Sequence, residues 1–330
     1  MVGPALGSPA HTARPFRLAS RGSSLARRQA EQVAGLLRAA HPGLEVELVL
    51  VRTTGDRITD LPLARIGDRG LFTKEVDDAV LRGDAEAAVH SLKDLPTLLQ
   101  EGLALGAIPE RDDPRDVLVF RDEAARGMRD LPPDARVGTS SLRRRAQLLA
   151  ARPDVSAPDI RGNVETRLRA LDDGRYDALI LAAAGLRRLG LEGRIGAHLQ
   201  PPEWLPAAGQ GALAVTCAAG SGRAPSMLAS LTHAETARAT AAERAFLRRL
   251  EGGCQVPVGA LAGVSPGLLR LEGLIASLDG DRIVRGSAHG APADADEVGE
   301  ELAERLLAEG GAEILRVVRA VGTPAGTGLG

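Results

Sequence analysis

A chain of 330 residues is too long for one small core, so two or three domains are expected. The composition, 44% hydrophobic and 25% charged, is that of a globular protein, and a net charge of -2 with a pI near 6.3 speaks against a dedicated nucleic-acid binder. Two cysteines exclude a disulfide framework and point to a reducing compartment, and no run of 18 apolar residues is present to form a membrane-spanning helix. Residues 1–16 lack the apolar centre of a secretory signal and read as a flexible extension, as do residues 321–330.

From residue 17 to about 206, short apolar runs alternate with helix-period stretches. Strands are predicted at 44–51, 85–90 and 176–182, and helices at 26–39 and 142–151. Such alternation predicts an α/β fold with largely parallel sheets. The segment RLASRGSSL at 17–25 is echoed by RVGTSSL at 136–142, each a short strand, a Ser-Ser pair and a basic helix. Serine suits a helix N-cap. Two such units suggest two lobes facing a cleft, each aiming exposed N–H groups at it, where an anion would bind.

A Gly/Pro/Ser-rich linker at 218–226 marks a change of domain. Thr232 and Glu235 then form a capping box that opens a helix through Leu250, with Gly252 and Gly253 ending it. Strands near 256–262, 268–278 and 282–289 and a helix near 295–309 complete a third domain of α+β type.

Four segments carry candidate chemistry. Cys254 lies in EGGCQVPVG, on a loop whose glycines let a bulky group approach, although a helix C-terminus does nothing to activate a thiol. Cys217, in the apolar run ALAVTC, reads as core. The run AVHSLKDLP brings His90, Lys93 and Asp94 to the carboxyl end of a strand, where ligands of α/β sheets bind. Arginines 21, 143, 144, 161 and 167 gather at strand-to-helix junctions. Cations there oppose the helix dipole, so they argue for an anionic ligand, and Arg forks suit carboxylates and phosphates. Gln210, in LPAAGQGA, reads as a polar side chain on a hinge.

Taken together, RLASRGSSLA, TTGD, GLFTKE, AVHSLKDLP, RDDPRD, VGTSSLRRRAQ, RGNVETRL, LAAAGLRRLGL, LPAAGQGA and ERAFLRRLEGGCQVPVG resemble the porphobilinogen deaminase family in order and spacing, from about residue 17 to 318. The resemblance implies two periplasmic-binding-protein-like lobes, residues 17–110 with 212–229 and residues 111–211, plus a smaller cofactor-attachment domain over 230–320. It implies a transferase that joins four porphobilinogen molecules head to tail, with loss of ammonia, into hydroxymethylbilane. The product grows on a dipyrromethane primer held by a thioether to the signature cysteine, here Cys254. By the same resemblance Asp94 is the catalytic carboxylate. Arg21, Lys93, Ser141, Arg143, Arg144, Arg161, Arg167 and Arg188 match positions that hold cofactor or substrate carboxylates. Ser23 and Gln210 match further cleft positions, and Arg65 and Arg69 belong to a basic loop that closes over the cleft. In that loop Asp68 adds an acid where the family is basic. No metal is expected, and the partner is a small molecule rather than nucleic acid or membrane, bound by a cytoplasmic monomer. A non-catalytic two-lobed small-anion binding protein is the alternative, which Cys254 and Asp94 argue against. A nucleic-acid module using the arginines is a weaker one, because stacking aromatics are scarce.

Overall fold

The computed structural model describes residues 14–54, 73–220, 222–251 and 256–322. The chain opens with β1 (Phe16–Arg21), α1 (Ser24–Ala40), β2 (Val46–Val51), α2 (Lys74–Leu81), β3 (Ala87–Ser91) and β4 (Leu103–Ala107). It then crosses to β5 (Asp116–Phe120), β6 (Val137–Gly138), α3 (Leu142–Ala151), α4 (Val164–Asp172), β7 (Ala178–Ala182), α5 (Ala183–Arg188) and β8 (Ala197–His198). A second crossing leads back to β9 (Leu213–Ala218) and α6 (Ala224–Ala229). A third group follows: α7 (Ala234–Arg249), β10 (Val258–Ser265), β11 (Leu268–Ala276), β12 (Ile283–Gly290), α8 (Ala295–Leu306) and α9 (Ala312–Gly322).

Three sheets result, ordered β2-β1-β3-β9-β4, β6-β7-β5-β8 and β10-β11-β12. The first two are mixed rather than largely parallel. Strand β1 runs parallel to β2 and β3, and β6 to β7, whereas β9 is antiparallel to β3 and β4, and β5 to β7 and β8. The reason is connectivity. Strands β5 and β9 each follow a crossing, so they enter their sheets from the end where β1, β3 and β7 finish.

Helix α1 buries Ala26, Ala30, Val33, Ala34 and Leu37, a helical stripe that packs with Phe16, Leu18, Val89 and Val215. Cys217 belongs to that core and is fully buried, as the sequence suggests. The second sheet packs Leu118, Phe120, Val137, Leu148, Ile180 and Trp204, and the third packs Phe246, Leu271, Ile275, Leu302 and Leu306. Serine caps are where the echo places them: Ser23 Oγ accepts from the Ala26 N–H, and Ser141 Oγ from the Arg144 N–H, each at 3.4 Å.

The start of α7 differs from the expected capping box. Thr232 is still in the preceding turn, its N–H bonded to the Ala229 carbonyl, and the N-cap is His233, whose Nδ1 accepts from the Thr236 N–H at 3.3 Å. The far end also closes early: Glu251, with φ of 50°, takes the left-handed position expected of glycine.

The two crossings touch each other. At Gly211, with φ of 87°, any Cβ would collide with the carbonyl oxygen of Asp112, so only glycine lets the strands of chain approach this closely. Both crossings are fastened to the third group by Glu243 of α7, which is fully buried. Its carboxylate accepts from Arg111 Nη1 at 2.6 Å and Nη2 at 3.1 Å, from the Gly209 N–H at 2.6 Å and from the Ala262 N–H at 2.8 Å. Its neighbour Arg244 donates to the carbonyls of Leu95, Pro96 and Thr97, holding the turn that follows β3.

Candidate active site

Strand β3 stops at Ser91 because a single 3-10 turn, Leu92–Asp94, follows. The Leu92 N–H donates to the Ala212 carbonyl at 3.0 Å, which anchors this turn to the second crossing. The turn leaves Asp94 exposed and Lys93 half-buried, its Nζ donating to Gln210 Oε1 at 3.2 Å. His90, one step earlier, points into the core instead: its Nε2 lies 3.0 Å from Asp77 Oδ1 and 3.3 Å from Thr216 Oγ1.

Across from this turn, α3 opens with Arg143 and Arg144, both buried. Their counter-charge is Asp116, the first residue of β5, which has no exposed surface. Arg143 Nη1 donates to Asp116 Oδ2 at 2.6 Å and to the Leu205 carbonyl at 2.8 Å. Arg144 Nε and Nη2 reach Asp116 Oδ1 at 2.9 and 2.7 Å, and its Nη1 reaches the Ile180 carbonyl at 3.0 Å. Gln210 Nε2 and Trp204 Nε1 complete the shell of Asp116 at 2.9 and 2.8 Å. Burial alone would raise this carboxyl, but the charges of Arg143 and Arg144 and their hydrogen bonds hold it well below the usual carboxylate range.

Arg144 also lines a cavity of about 110 Å³, together with Gln29, Ser91, Lys93, Arg167 and Arg188. Cations dominate its polar wall. Burial, with Arg144 and Arg161 nearby, lowers Arg167 to about 10, and burial lowers Arg188 as well. Burial, reinforced by Arg144, brings the Lys93 ammonium down to about 8 even though Asp94 and Asp116 pull the other way. Arg167 Nε donates to the Gly162 carbonyl and Arg188 Nη2 to the Gly211 carbonyl, but Arg188 Nε and Arg161 Nη2 are buried without a partner among the described residues. Orphaned guanidinium donors near a cationic cavity call for an acceptor that the described residues do not supply. A larger cavity, about 540 Å³, lies between α3, the second crossing and β12; its wall includes Trp204 and Arg285 but none of the residues that the sequence singles out. Convergent cations with unsatisfied donors, rather than volume, mark the smaller one as the site.

Of the residues read from the sequence, Lys93, Arg144, Arg167 and Arg188 share this cavity wall. Gln210 sits behind Lys93, Arg143 is tied to Asp116, and Arg21 and Ser23 lie at the end of β1 and the N-cap of α1. Cys254, Arg65 and Arg69 lie outside the described residues. Sequence reasoning assigns no role to Asp116 or Trp204. The signal for the first was in RDDPRD, whose final acid begins an apolar strand where a lone charge needs a partner.

Known proteins give the arrangement its family. Residues 16–225 match "Porphobilinogen deaminase, dipyromethane cofactor binding domain", and residues 237–308 match "Porphobilinogen deaminase, C-terminal domain". The chain belongs to the porphobilinogen deaminase family. It is 48% identical over 307 residues to a porphobilinogen deaminase of Syntrophobacter fumaroxidans, covering 93% of this chain and 99% of that one. It is 51% identical over 305 residues to the enzyme of Pelobacter propionicus, covering 92% and 97%. Among solved structures, the VFT2 domain of Bordetella pertussis BvgS aligns at 16% identity with a TM-score of 0.41 over 67% of this chain and 87% of that one, too loose a likeness to bear on function. Membership makes the chain a transferase, and it carries the domain that binds the family's dipyrromethane cofactor. The residues fit that group: the orphaned guanidinium donors of Arg161 and Arg188 suit carboxylate acceptors. No helix of the described residues is long and apolar enough to cross a membrane.

Proposed function

We propose that the chain builds hydroxymethylbilane from porphobilinogen in the cleft between its first two sheets, and that Lys93, Arg144, Arg161, Arg167 and Arg188 hold the carboxylates of primer and substrate there. The observation that carries this reading is the convergence of Lys93, Arg144, Arg167 and Arg188 on one small cavity, with guanidinium donors of Arg188 and Arg161 left over among the described residues. The dipyrromethane cofactor, when bound, supplies the nucleophilic pyrrole carbon on which the product grows. Cys254 holds it through a thioether.

The chain's own residues do the rest. Asp94, exposed on the turn after β3, accepts pyrrole N–H bonds and stabilises the positive charge left when ammonia departs. Arginine forks fix the orientation of each pyrrole by its two acid side chains. Ser141 caps α3 and so keeps its first turn, with Arg144, in place. Arg21, at the end of β1, and Ser23, at the N-cap of α1, add to the substrate-binding set, as do Arg65 and Arg69. The division into residues 17–110 with 212–229, 111–211 and 230–320 agrees with three sheets that have separate cores. A monomer in the cytoplasm suits a chain with two cysteines and a small acidic substrate.

The intact mass of the purified protein tests this. It is expected to exceed the polypeptide by two pyrrole units, on a peptide containing Cys254, and Cys254→Ala is expected to fold at the bare mass with no turnover. The added mass on a peptide containing Cys217, or a bare parent, would overturn the reading.

A further inference from the structure

The larger cavity, about 540 Å³, takes no part in the chemistry above, and its size is that of an organic ligand rather than of a few waters. Its apolar wall is made by Met128, Leu199 and Trp204, with Ala150 and Ala151 from the end of α3. Its ionisable wall residues are Arg126, His198 and Arg285 against one acid, Glu203. Elsewhere on the second lobe surface arginines are paired with carboxylates, Arg121 with Asp177, Arg152 with Asp154 and Arg194 with Asp172. Arg126 and Arg285 are different. Among the described residues each uses only Nη1, on backbone carbonyls: Arg126 on those of Glu123 and Ala125, Arg285 on those of Pro202 and Glu203. Their Nε and Nη2 donors stay open, a fork that suits an acid group.

The cavity also stands back to back with the active-site cluster. Trp204 Nε1 donates at 2.8 Å to Asp116 Oδ2, the same oxygen that takes Arg143 Nη1 at 2.6 Å. Gln147, another wall residue, accepts from the Leu205 N–H at 2.9 Å and donates to the Leu205 carbonyl at 3.0 Å, and that carbonyl also accepts from Arg143 at 2.8 Å. Asp116 in turn holds Arg144, which lines the smaller cavity. The two cavities are thus joined through one shared carboxylate.

We propose that the larger cavity is a regulatory site for a compact aromatic organic anion. Its ring lies against Trp204 and Met128, and its acid group meets the open guanidinium donors of Arg126 and Arg285. An indole face and arginine forks together select an aromatic acid over a neutral or cationic ligand. An occupant that shifts the indole moves a donor of Asp116, and through Asp116 it moves Arg144. Binding in one cavity then changes affinity in the other, by the same factor in both directions.

The probe is anilinonaphthalene sulfonate, titrated into the purified holoenzyme with excitation of Trp204, the chain's only tryptophan. It is expected to bind one per chain, quenching Trp204 and gaining emission by energy transfer. Ala151→Phe fills the cavity without removing a hydrogen-bonding side chain, and Arg126→Glu reverses one charge. Each is expected to weaken probe binding by about tenfold or more while leaving turnover without probe unchanged. In the parent, saturating probe is expected to raise KM for porphobilinogen about fivefold and then no further, whereas a competitor in the cleft would raise it without limit. Absence of Trp204 quenching, or equally tight binding to both variants, would overturn the site. A KM that climbs without limit would place the probe in the cleft, and a KM within about twofold of the unprobed value would remove the regulatory role. The fluorescence titration needs no turnover, so its failure is distinct from a failure of the deaminase reading.

Discussion

Asp116→Asn tests the buried cluster most sharply. Asparagine keeps the shape of Asp116 but removes the single negative charge shared by Arg143 and Arg144, and it turns one acceptor arm into a donor facing donors. Stranding one partner of a buried ion pair costs about 3–5 kcal/mol, and here two guanidiniums lose their counter-charge. With a urea slope of about 2 kcal/mol per molar, the transition midpoint is expected to fall by about 2 M. The assay is built in, because Trp204 is the chain's only tryptophan and its Nε1–H donates to Asp116, so its emission follows this cluster. The pH dependence has a definite sign. Asp116 is depressed in the folded protein, so its contribution is full above about pH 4 and is lost as pH falls towards its folded value; the gap between parent and variant is expected to narrow in that direction. A midpoint within about 0.3 M of the parent at neutral pH would refute the assignment of Asp116 as the counter-charge.

Arg144→Leu is expected to yield mostly apo-protein by mass, since a charge-assisted hydrogen bond contributes roughly 1.5–3 kcal/mol and Arg144 lines the cavity, whereas folded Arg143→Leu is expected to load more cofactor because Arg143, tied to Asp116 as Arg144 is, forms no part of the cavity wall. Equal loading of the two variants would remove the distinction. Asp94→Asn is expected to cut kcat by about three decades, from roughly 4 kcal/mol for unit charges about 4 Å apart at an effective dielectric near 20, while Asp94→Glu keeps measurable activity; turnover of the Asn variant within about tenfold of the parent would move the electrostatic role elsewhere. Glu243→Gln is expected to destabilise by about 3–5 kcal/mol, because Arg111 loses its bidentate partner, and limited proteolysis at the crossings should report it.

The strands at 44–51, 85–90 and 176–182 and the helix at 142–151 were legible from periodicity alone, because each buries one face or a whole apolar run. Strand direction was not, since antiparallel β5 and β9 follow from the crossings, which carry no periodic signal. Within the site, the clustering of arginines at helix starts was visible, but their division of labour was not. Arg143 and Arg144 are adjacent in sequence and both bind Asp116, 27 residues upstream of Arg143, but only Arg144 also lines the cavity. Thr232 was a reasonable cap by residue type, and only the turn that holds its N–H made His233 the cap instead.

The fastening at Glu243 has a mechanical consequence. The two crossings work like a pair of leaf springs lying side by side, in contact at Gly211 and riveted near Arg111 and Gly209 to α7. Such a pair bends readily about the rivet but resists being stretched or sheared, so one lobe can swing against the other by changing dihedral angles in the free spans on either side. The third group of elements is held at the rivet and, through Arg244, at the turn after β3. A substrate pocket that must admit a longer product after every addition therefore has a way to widen while its pivot stays put.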